Sequence, residues 1–513
     1  MNIEEIWEKA IREDSPDPNG AVGELINLWA KSLQSEVVWD RREENTAIFF
    51  IDLSNLMLRG LDTNILMVVH PAGNPEEEKK IYELLEYSAV KATAAHCLCF
   101  VVFLEEKARI AKDLHPELID IVVLDGESVK KQFKSGAPEK ILFDIILKQV
   151  NIARLCPFDT TRPARGDMFV GRRDEIRSLV QDIETSFLVT GSRRVGKSSL
   201  LLKASEILMK HDEYKDRVHL MYCETLSAFN ESASHIVNLI DPKKERKALR
   251  NPQNLLRFFK VKSKYGEKPL ILFFDEFDRI TDFESKNDWQ LLRCLQNAVE
   301  KKYIRVTFAG YRSVLQLNEN NDSPFHQKLK FIKLPPLEEK DSFSLFILPF
   351  QRIGIKIVDP DFVSKKILHF SGGYPYVIQF YGEGLFEQIV RKETQELKPE
   401  DIFTFEESFA YNEYIIGHFL ENTEKNERLL AILYAFSEDT NPWSEEDFRR
   451  EIFTNGLHLN IEDIHKAARN LVLANIFEFQ NSKFAFIFPI FREQIRKQWK
   501  SMEIKKAFES GGF

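Results

Sequence analysis

The chain is short of cysteine, of long apolar runs, of net positive charge and of internal repeats, and each shortage excludes a class of protein. Its 513 residues contain five cysteines, at 97, 99, 156, 223 and 294. An odd number with only one close pair does not make a disulfide framework and argues for a reducing compartment. Cys97 and Cys99 lie two apart in CLCFVVFL, so on a strand they share one buried face; no second ligand pair follows to complete a metal site. No stretch reaches the roughly 18 apolar residues of a membrane span. The start, MNIEEIWEKAIREDS, is acidic and amphipathic, unlike a signal peptide. The expectation is a cytoplasmic protein with no membrane partner. A net charge of −9 gives the whole chain no electrostatic footprint for nucleic acid, although a local basic face remains open. No period of 20–50 residues marks a solenoid.

What remains is an ordinary globular composition, 43% hydrophobic and 29% charged, in a chain long enough for several domains. TAIFFIDL, NILMVV, LCFVVFL and IDIVVLDG alternate with helical periodicity, including helices expected near 76–95 and 105–113, and predict an α/β domain over 1–155. NIARLCPFDTTRPARGDM reads as a connection, with 156–167 as linker. Residues 168–339 then offer five apolar runs separated by helical segments, the pattern of a doubly wound, mostly parallel sheet. Residues 340–420 read as a helical lid interrupted by SGGYP, and 421–513 as three helices, a hairpin and a closing helix, the winged-helix pattern. The fold class is α/β and multidomain.

The chemistry concentrates in SFLVTGSRRVGKSSLL. Gly191, Gly196, Lys197 and Ser198 satisfy GxxxxGK[ST], placed after a strand and opening a helix. The backbone of Gly191, Ser192, Arg193, Arg194, Val195 and Gly196, continuing through Ser198 and Ser199, is expected to wrap nucleotide phosphates, with a helix dipole pointed at them. Lys197 would reach the β and γ oxygens, and Ser198 would ligate Mg²⁺. In PLILFFDEFD, Asp275 ends an apolar strand where a second magnesium anchor is needed, and Glu276 can deprotonate an attacking water. Asp278 suits either this site or a solvated helix start. Arg312, in IRVTFAGYRS, is either a sensor of the γ-phosphate or a surface arginine.

MFVGRRDEI, GSRRVGKSSLL, FFDEFD, AGYRS and SGGYP together resemble the STAND-type signal-transduction ATPases and the archaeal ATPases related to origin-recognition AAA+ proteins, over about residues 168 to 500. The resemblance implies ATP and ADP as ligands with Mg²⁺, and slow, switch-like hydrolysis. It implies an adenine site at Phe169, Val170 and Gly171, with Pro375 of the lid approaching the base. It also implies a winged helix packed on the ADP-bound core, a trigger protein, and a homo-oligomer in the ATP state. No sensor repeats follow the lid, and no arginine is assignable as a finger toward a neighbouring subunit.

Before residue 160 the strand and helix order resembles the closing half of an Mrr-like restriction endonuclease, with NILMVVHP lacking its acid and lysine. Glu105, Glu106 and Lys107 form an ExK after a different strand, and Asp52 suggests another metal nuclease; an inactive α/β domain is the favoured reading. Residues 421–513 hold 13 basic and 15 acidic residues, so the helix NIEDIHKAARNLVLANIF, with Lys466 and Arg469, is expected to pack on protein more than on DNA. RFFKVKSK, 257 to 264, reads as a basic helix end. The function expected is an ATP-driven switch. The alternatives are an origin-recognition-like DNA-binding ATPase, an ATPase-regulated nuclease, and a non-hydrolysing scaffold.

Overall fold

The structure is a computed structural model; it describes residues 3–13, 17–43, 46–53, 56, 58, 64–69, 97–104, 119–150, 155–223, 229–242, 251–406, 408–438 and 441–499. The expected helices at 76–95 and 105–113 and the Glu105–Lys107 triplet lie outside these residues.

The central sheet has the order 330–333, 187–190, 304–310, 270–275, 218–222, all neighbours parallel. Helices on both faces explain why Leu270–Asp275 and Ile304–Gly310 are buried at every position, and hence why their sequences run apolar without alternation. The order places Ile304–Gly310 between the phosphate-loop strand Phe187–Thr190 and the acidic strand Leu270–Asp275, as anticipated. Two cores serve this sheet, one on each face.

The N-terminal sheet differs from the expectation by one strand. Val37–Glu43 pairs antiparallel with Thr46–Ile51, which pairs antiparallel with Asn64–Val69; Cys97–Phe103 and Ile119–Leu124 then continue in parallel. Val37–Glu43 leaves no apolar run in the sequence because it is an edge strand whose second half, Asp40 to Glu43, is charged, and Val38 and Arg42 are exposed. Cys99 lies in the core of this sheet, as expected. Asp52 follows Thr46–Ile51 and is exposed.

The helical segment holds Glu339–Arg352, Pro360–Ser371, Pro375–Arg391, Pro399–Glu406 and Phe409–Glu421. One correction applies: Lys356–Ile357 and Glu396–Leu397 pair as a two-residue parallel ladder, too short to leave a period in the sequence. Prolines open three of these helices, where the missing N–H costs nothing. The C-terminal unit follows the expected order: helices Lys425–Phe436, Glu445–Thr454 and Ile461–Leu473, the hairpin Phe477–Gln480 with Lys483–Phe486, and helix Pro489–Gln498. Capping boxes at Glu424/Glu427 and Ser444/Asp447 start its first two helices.

One continuous apolar core runs from the N-terminal domain through the helical segment into the C-terminal unit. The N-terminal domain meets the helical segment directly. The Arg352 guanidinium lies 3.8 Å from the Phe143 ring centroid, and its Nη1 donates to the Leu56 carbonyl at 3.3 Å. Residues 156–167 are therefore not a free linker, since Phe158 is fully buried against Phe350 and Phe346, with centroids 4.9 and 6.1 Å away. The proline and threonine content that suggested a linker reflects an irregular path and not solvent exposure.

Candidate nucleotide site

At the C-terminal edge of the central sheet, strand Phe187–Thr190 gives way to the loop 191–196, and helix Lys197–Met209 begins at once. Gly196 sits at φ +104, a conformation that L side chains avoid, and the space where its Cβ would project is open. The loop can thus turn its amides inward toward a ligand. Lys197 is buried, its Nζ donating to the carbonyls of Gly191 at 3.2 Å and Ser192 at 2.9 Å. Burial lowers its pKa, opposed by the carboxylates of Glu276, Asp275 and Asp278. These three acids and the lysine share one electrostatic neighbourhood, as a phosphate and metal site requires.

A cavity of about 490 Å³ opens beside the loop. Its walls include Arg194, Val195, Gly196, Lys197, Ser198, Ser199 and Glu276 on one side, Phe169 and Val170 on another, and Pro375 on the lid. Three separately expected elements thus meet in one space. Gly191, Ser192, Arg193 and Gly171 are not among its lining residues. Gly171, at φ +68, has the Asp341 carboxylate 2.5 Å from where a Cβ would stand, so it turns the chain and does not line the cavity.

Asp275 is fully buried behind Ser198. Its Oδ1 accepts the Glu276 N–H at 3.1 Å, while Oδ2 makes no hydrogen bond within the protein. Burial raises its pKa, and the neighbouring Ser198 hydroxyl and Lys197 ammonium act the other way. A buried carboxylate oxygen without a donor is costly unless a cation or its water shell completes it, so Ser198 and Asp275 fit a magnesium ion bound with phosphate. Glu276 stands in the left-handed region at φ +53 and points into the cavity. Desolvation raises its pKa; Lys197 opposes this, and the charges of Asp275 and Asp278 add to it. A carboxylate with raised basicity, held by strained backbone, has the properties of a general base.

Asp278 belongs to the scaffold. It opens helix Asp278–Glu284 and accepts backbone N–H groups of Tyr311 at 2.7 Å and Ser313 at 2.9 Å, tying the end of Ile304–Gly310 to the acidic strand. Arg312 does not line the cavity. Its guanidinium pairs with Glu427 and, at 3.1 Å, with Glu424, and it donates to the Asn422 carbonyl at 2.7 Å. Its charged partners are carboxylates of the C-terminal unit.

Several wall residues carry no motif. Ala164 N–H donates to Ser199 Oγ at 2.9 Å, Asp159 N–H donates to Gln379 Oε1 at 3.2 Å, and Arg162 Nε donates to Asp159 Oδ2 at 2.6 Å. The strap 159–164, together with Tyr376 and Gln379, closes the cavity on the side away from the sheet. Only the tertiary fold brings the strap to the phosphate loop.

The C-terminal unit touches the loop from outside. Asn422 Oδ1 accepts the Arg193 N–H at 2.8 Å, and Asn475 Nδ2 donates to Ser192 Oγ at 3.3 Å and to the Leu334 carbonyl at 3.2 Å. Tyr374, next to Pro375, donates its hydroxyl to the Asn475 carbonyl at 2.6 Å.

A parallel five-stranded sheet with a phosphate loop and a facing acid pair defines a P-loop nucleoside triphosphatase. Residues 169–380 match the family described as an ATPase domain predominantly from Archaea. Among solved structures, the Walker-type ATPase paby2304 of Pyrococcus abyssi is similar at 18% identity and a TM-score of 0.49, covering 66% of this chain and 99% of that one. The ORC2 protein of Aeropyrum pernix, in its ADPNP and ADP complexes, is similar at 12% identity and a TM-score of 0.46, over 64% of this chain and 94% of that one. The Aeropyrum pernix ORC1 protein in complex with DNA is similar at 13% identity and a TM-score of 0.36, over 65% and 94%. No curated protein matches the chain. No helix among the described residues is long and apolar enough to cross a membrane.

Proposed function

We propose that this chain is an ATP-driven molecular switch of the STAND and AAA+-related kind, serving prokaryotic signalling or defence. The phosphates lie on the loop amides and Lys197, the base lies between Phe169, Val170 and Pro375, and Ser198 and Asp275 hold Mg²⁺. The ion supplies charge neutralisation for the phosphates when bound. Glu276 accepts the proton of the attacking water. The C-terminal unit acts as a winged helix seated on the core, which restrains the loop until a trigger releases it.

The observation that carries this reading is the grip of the C-terminal unit on the loop and on Arg312: Asn422 on the Arg193 amide, Asn475 on Ser192, and Glu427 with Glu424 on Arg312. An acceptor already placed on a loop amide competes with phosphate for it, and carboxylates that hold the sensor arginine keep it from a γ-phosphate. Bound nucleotide and molecular mass, determined on the purified native chain and on Lys197→Ala, test the reading. Native protein should retain nucleotide and the variant should lose it; equal content in both ends the proposal. Glu276→Gln should keep nucleotide and stop phosphate release, whereas a scaffold that never hydrolyses shows no difference.

A second reading, an origin-recognition-like DNA-binding ATPase, is favoured by one observation. Lys466 and Arg469 stay exposed on Ile461–Leu473 although the far end of that helix meets the core. It requires ATP-dependent duplex affinity that falls steeply with salt. An ATPase-regulated nuclease requires metal-dependent cleavage lost in Asp52→Ala or Glu105→Ala.

A further inference from the structure

A second cavity, of about 300 Å³, lies on the far side of Arg194 from the nucleotide site. One face of helix Phe409–Glu421 forms most of it: Glu413, Tyr414, Gly417, His418 and Glu421 recur at helical spacing along a single side. Tyr376 and Arg194 complete the wall, and both also line the nucleotide cavity. A Cβ built on Gly417 meets nothing within 4 Å, so the missing side chain leaves room where it faces the cavity.

The wall chemistry is net negative. Glu413 and Glu421 are exposed at the rim, the rings of Tyr376 and Tyr414 stack with centroids 5.0 Å apart, and the His418 imidazole is buried with neither nitrogen hydrogen-bonded within the protein. Burial depresses the His418 pKa to about 3, so it stands neutral at physiological pH and adds no positive charge. Two carboxylates against one guanidinium leave the cavity net negative, and tyrosine faces attract cations. The protein already shows which group this wall accepts: the Arg194 guanidinium carbon lies 4.0 Å from the Tyr376 ring centroid, and its Nη2 meets Glu421 Oε1 at 3.2 Å.

We propose that this cavity is an effector site for a small organic cation, an ammonium or guanidinium with a short apolar body. The cation meets the rim carboxylates with its body on the Tyr376 face that Arg194 covers, both faces of Tyr414 being stacked by Tyr376 and Phe380. Three hundred cubic ångströms equals roughly ten waters at about 30 Å³ each, enough for such a molecule and too little for a nucleotide with its phosphates. A ligand cation there competes with Arg194 for Glu421 and Tyr376. Because Arg194 belongs to the phosphate loop, ligand binding releases it toward the nucleotide; this coupling, unlike the site itself, rests on the nucleotide reading above.

The test is titration calorimetry on the full chain with choline and with agmatine, against the neutral isostere 3,3-dimethylbutan-1-ol. Saturable binding of either cation, absence of binding by the isostere, and a loss of about tenfold or more in Glu413→Gln are the expected results. Glu413 is exposed and outside the nucleotide machinery, so that variant should fold. Lys197→Ala should bind the cation as the native chain does, which keeps this result separate from failure of the nucleotide reading. If neither cation binds at ~10 mM, or if Glu413→Gln binds them unchanged, the proposal is overturned.

Discussion

The side-chain oxygen of Asn422 accepts the backbone N–H of Arg193 at 2.8 Å, so a residue more than two hundred positions away holds a donor of the phosphate loop. The Asn422 side chain is itself fixed, its Nδ2 donating to the His418 carbonyl at 2.9 Å. The contact links the start of the C-terminal unit to the loop, and no sequence motif marks Asn422.

Asn422→Ala should release that amide and loosen the C-terminal unit. A hydrogen bond of this kind contributes about 1 kcal/mol, so nucleotide affinity should rise roughly fivefold. Asn422→Asp keeps the acceptor and adds a negative charge beside the loop, and affinity should fall. Titration of fluorescent ATP into the apo protein reads both, and an unchanged affinity in both would contradict the restraint.

Arg312 and Glu427 form a largely buried pair, the Glu427 side chain being 3% exposed. Glu427 also accepts from Asn470 Nδ2 at 2.7 Å, so it serves three elements. Arg312→Ala leaves a buried carboxylate without its cation and should cost about 3 kcal/mol. Arg312→Ala with Glu427→Gln should recover part of that loss, which denaturant unfolding of the single and double variants would measure.

The strap 159–164, which meets the phosphate-binding segment through the Ala164 N–H on Ser199 Oγ, should control nucleotide affinity. A Cβ at Gly382 would come within 2.4 Å of the Phe158 ring, so Gly382→Ala must displace the strap's anchor. Overpacking of this kind costs about 1–3 kcal/mol. Nucleotide affinity should fall in Gly382→Ala, while Gly136→Ala, whose Cβ site is empty, serves as a control for the loss of a glycine.

His418 should make stability fall on acidification. Its folded pKa of about 3 lies below the ordinary 6.5, so between these values the unfolded chain binds the extra proton. The contribution is complete above about pH 6.5 and is lost progressively as pH falls toward 3. At pH 5 the loss is about 2 kcal/mol. The rings of Tyr374 and Phe491 pack against this imidazole, and the charge of Arg194 opposes its protonation. His418→Leu should flatten the decline in melting temperature between pH 7.5 and 5, and an identical slope would refute the assignment.

Much of the core was legible from residue order alone. GSRRVGKSS announces a phosphate loop because only a strand, a glycine turn and a helix start can place those donors, and LILFFD reads as a doubly covered strand because nothing polar interrupts it. Phe169, Val170 and Pro375 came from resemblance, and the cavity unites them. VVWDRRE escaped notice because an edge strand leaves no continuous apolar run, and the strap because proline, threonine and arginine look like a solvated connection.

What the sequence by itself determined is the chemistry of the loop and the layering of its sheet, since both arise from local spacing and periodicity. What only the tertiary structure decided is who touches that loop. Asn422, Asn475 and the strap reach it through packing of segments distant in sequence, and no local pattern encodes a partner that burial and chain path bring together from far along the chain.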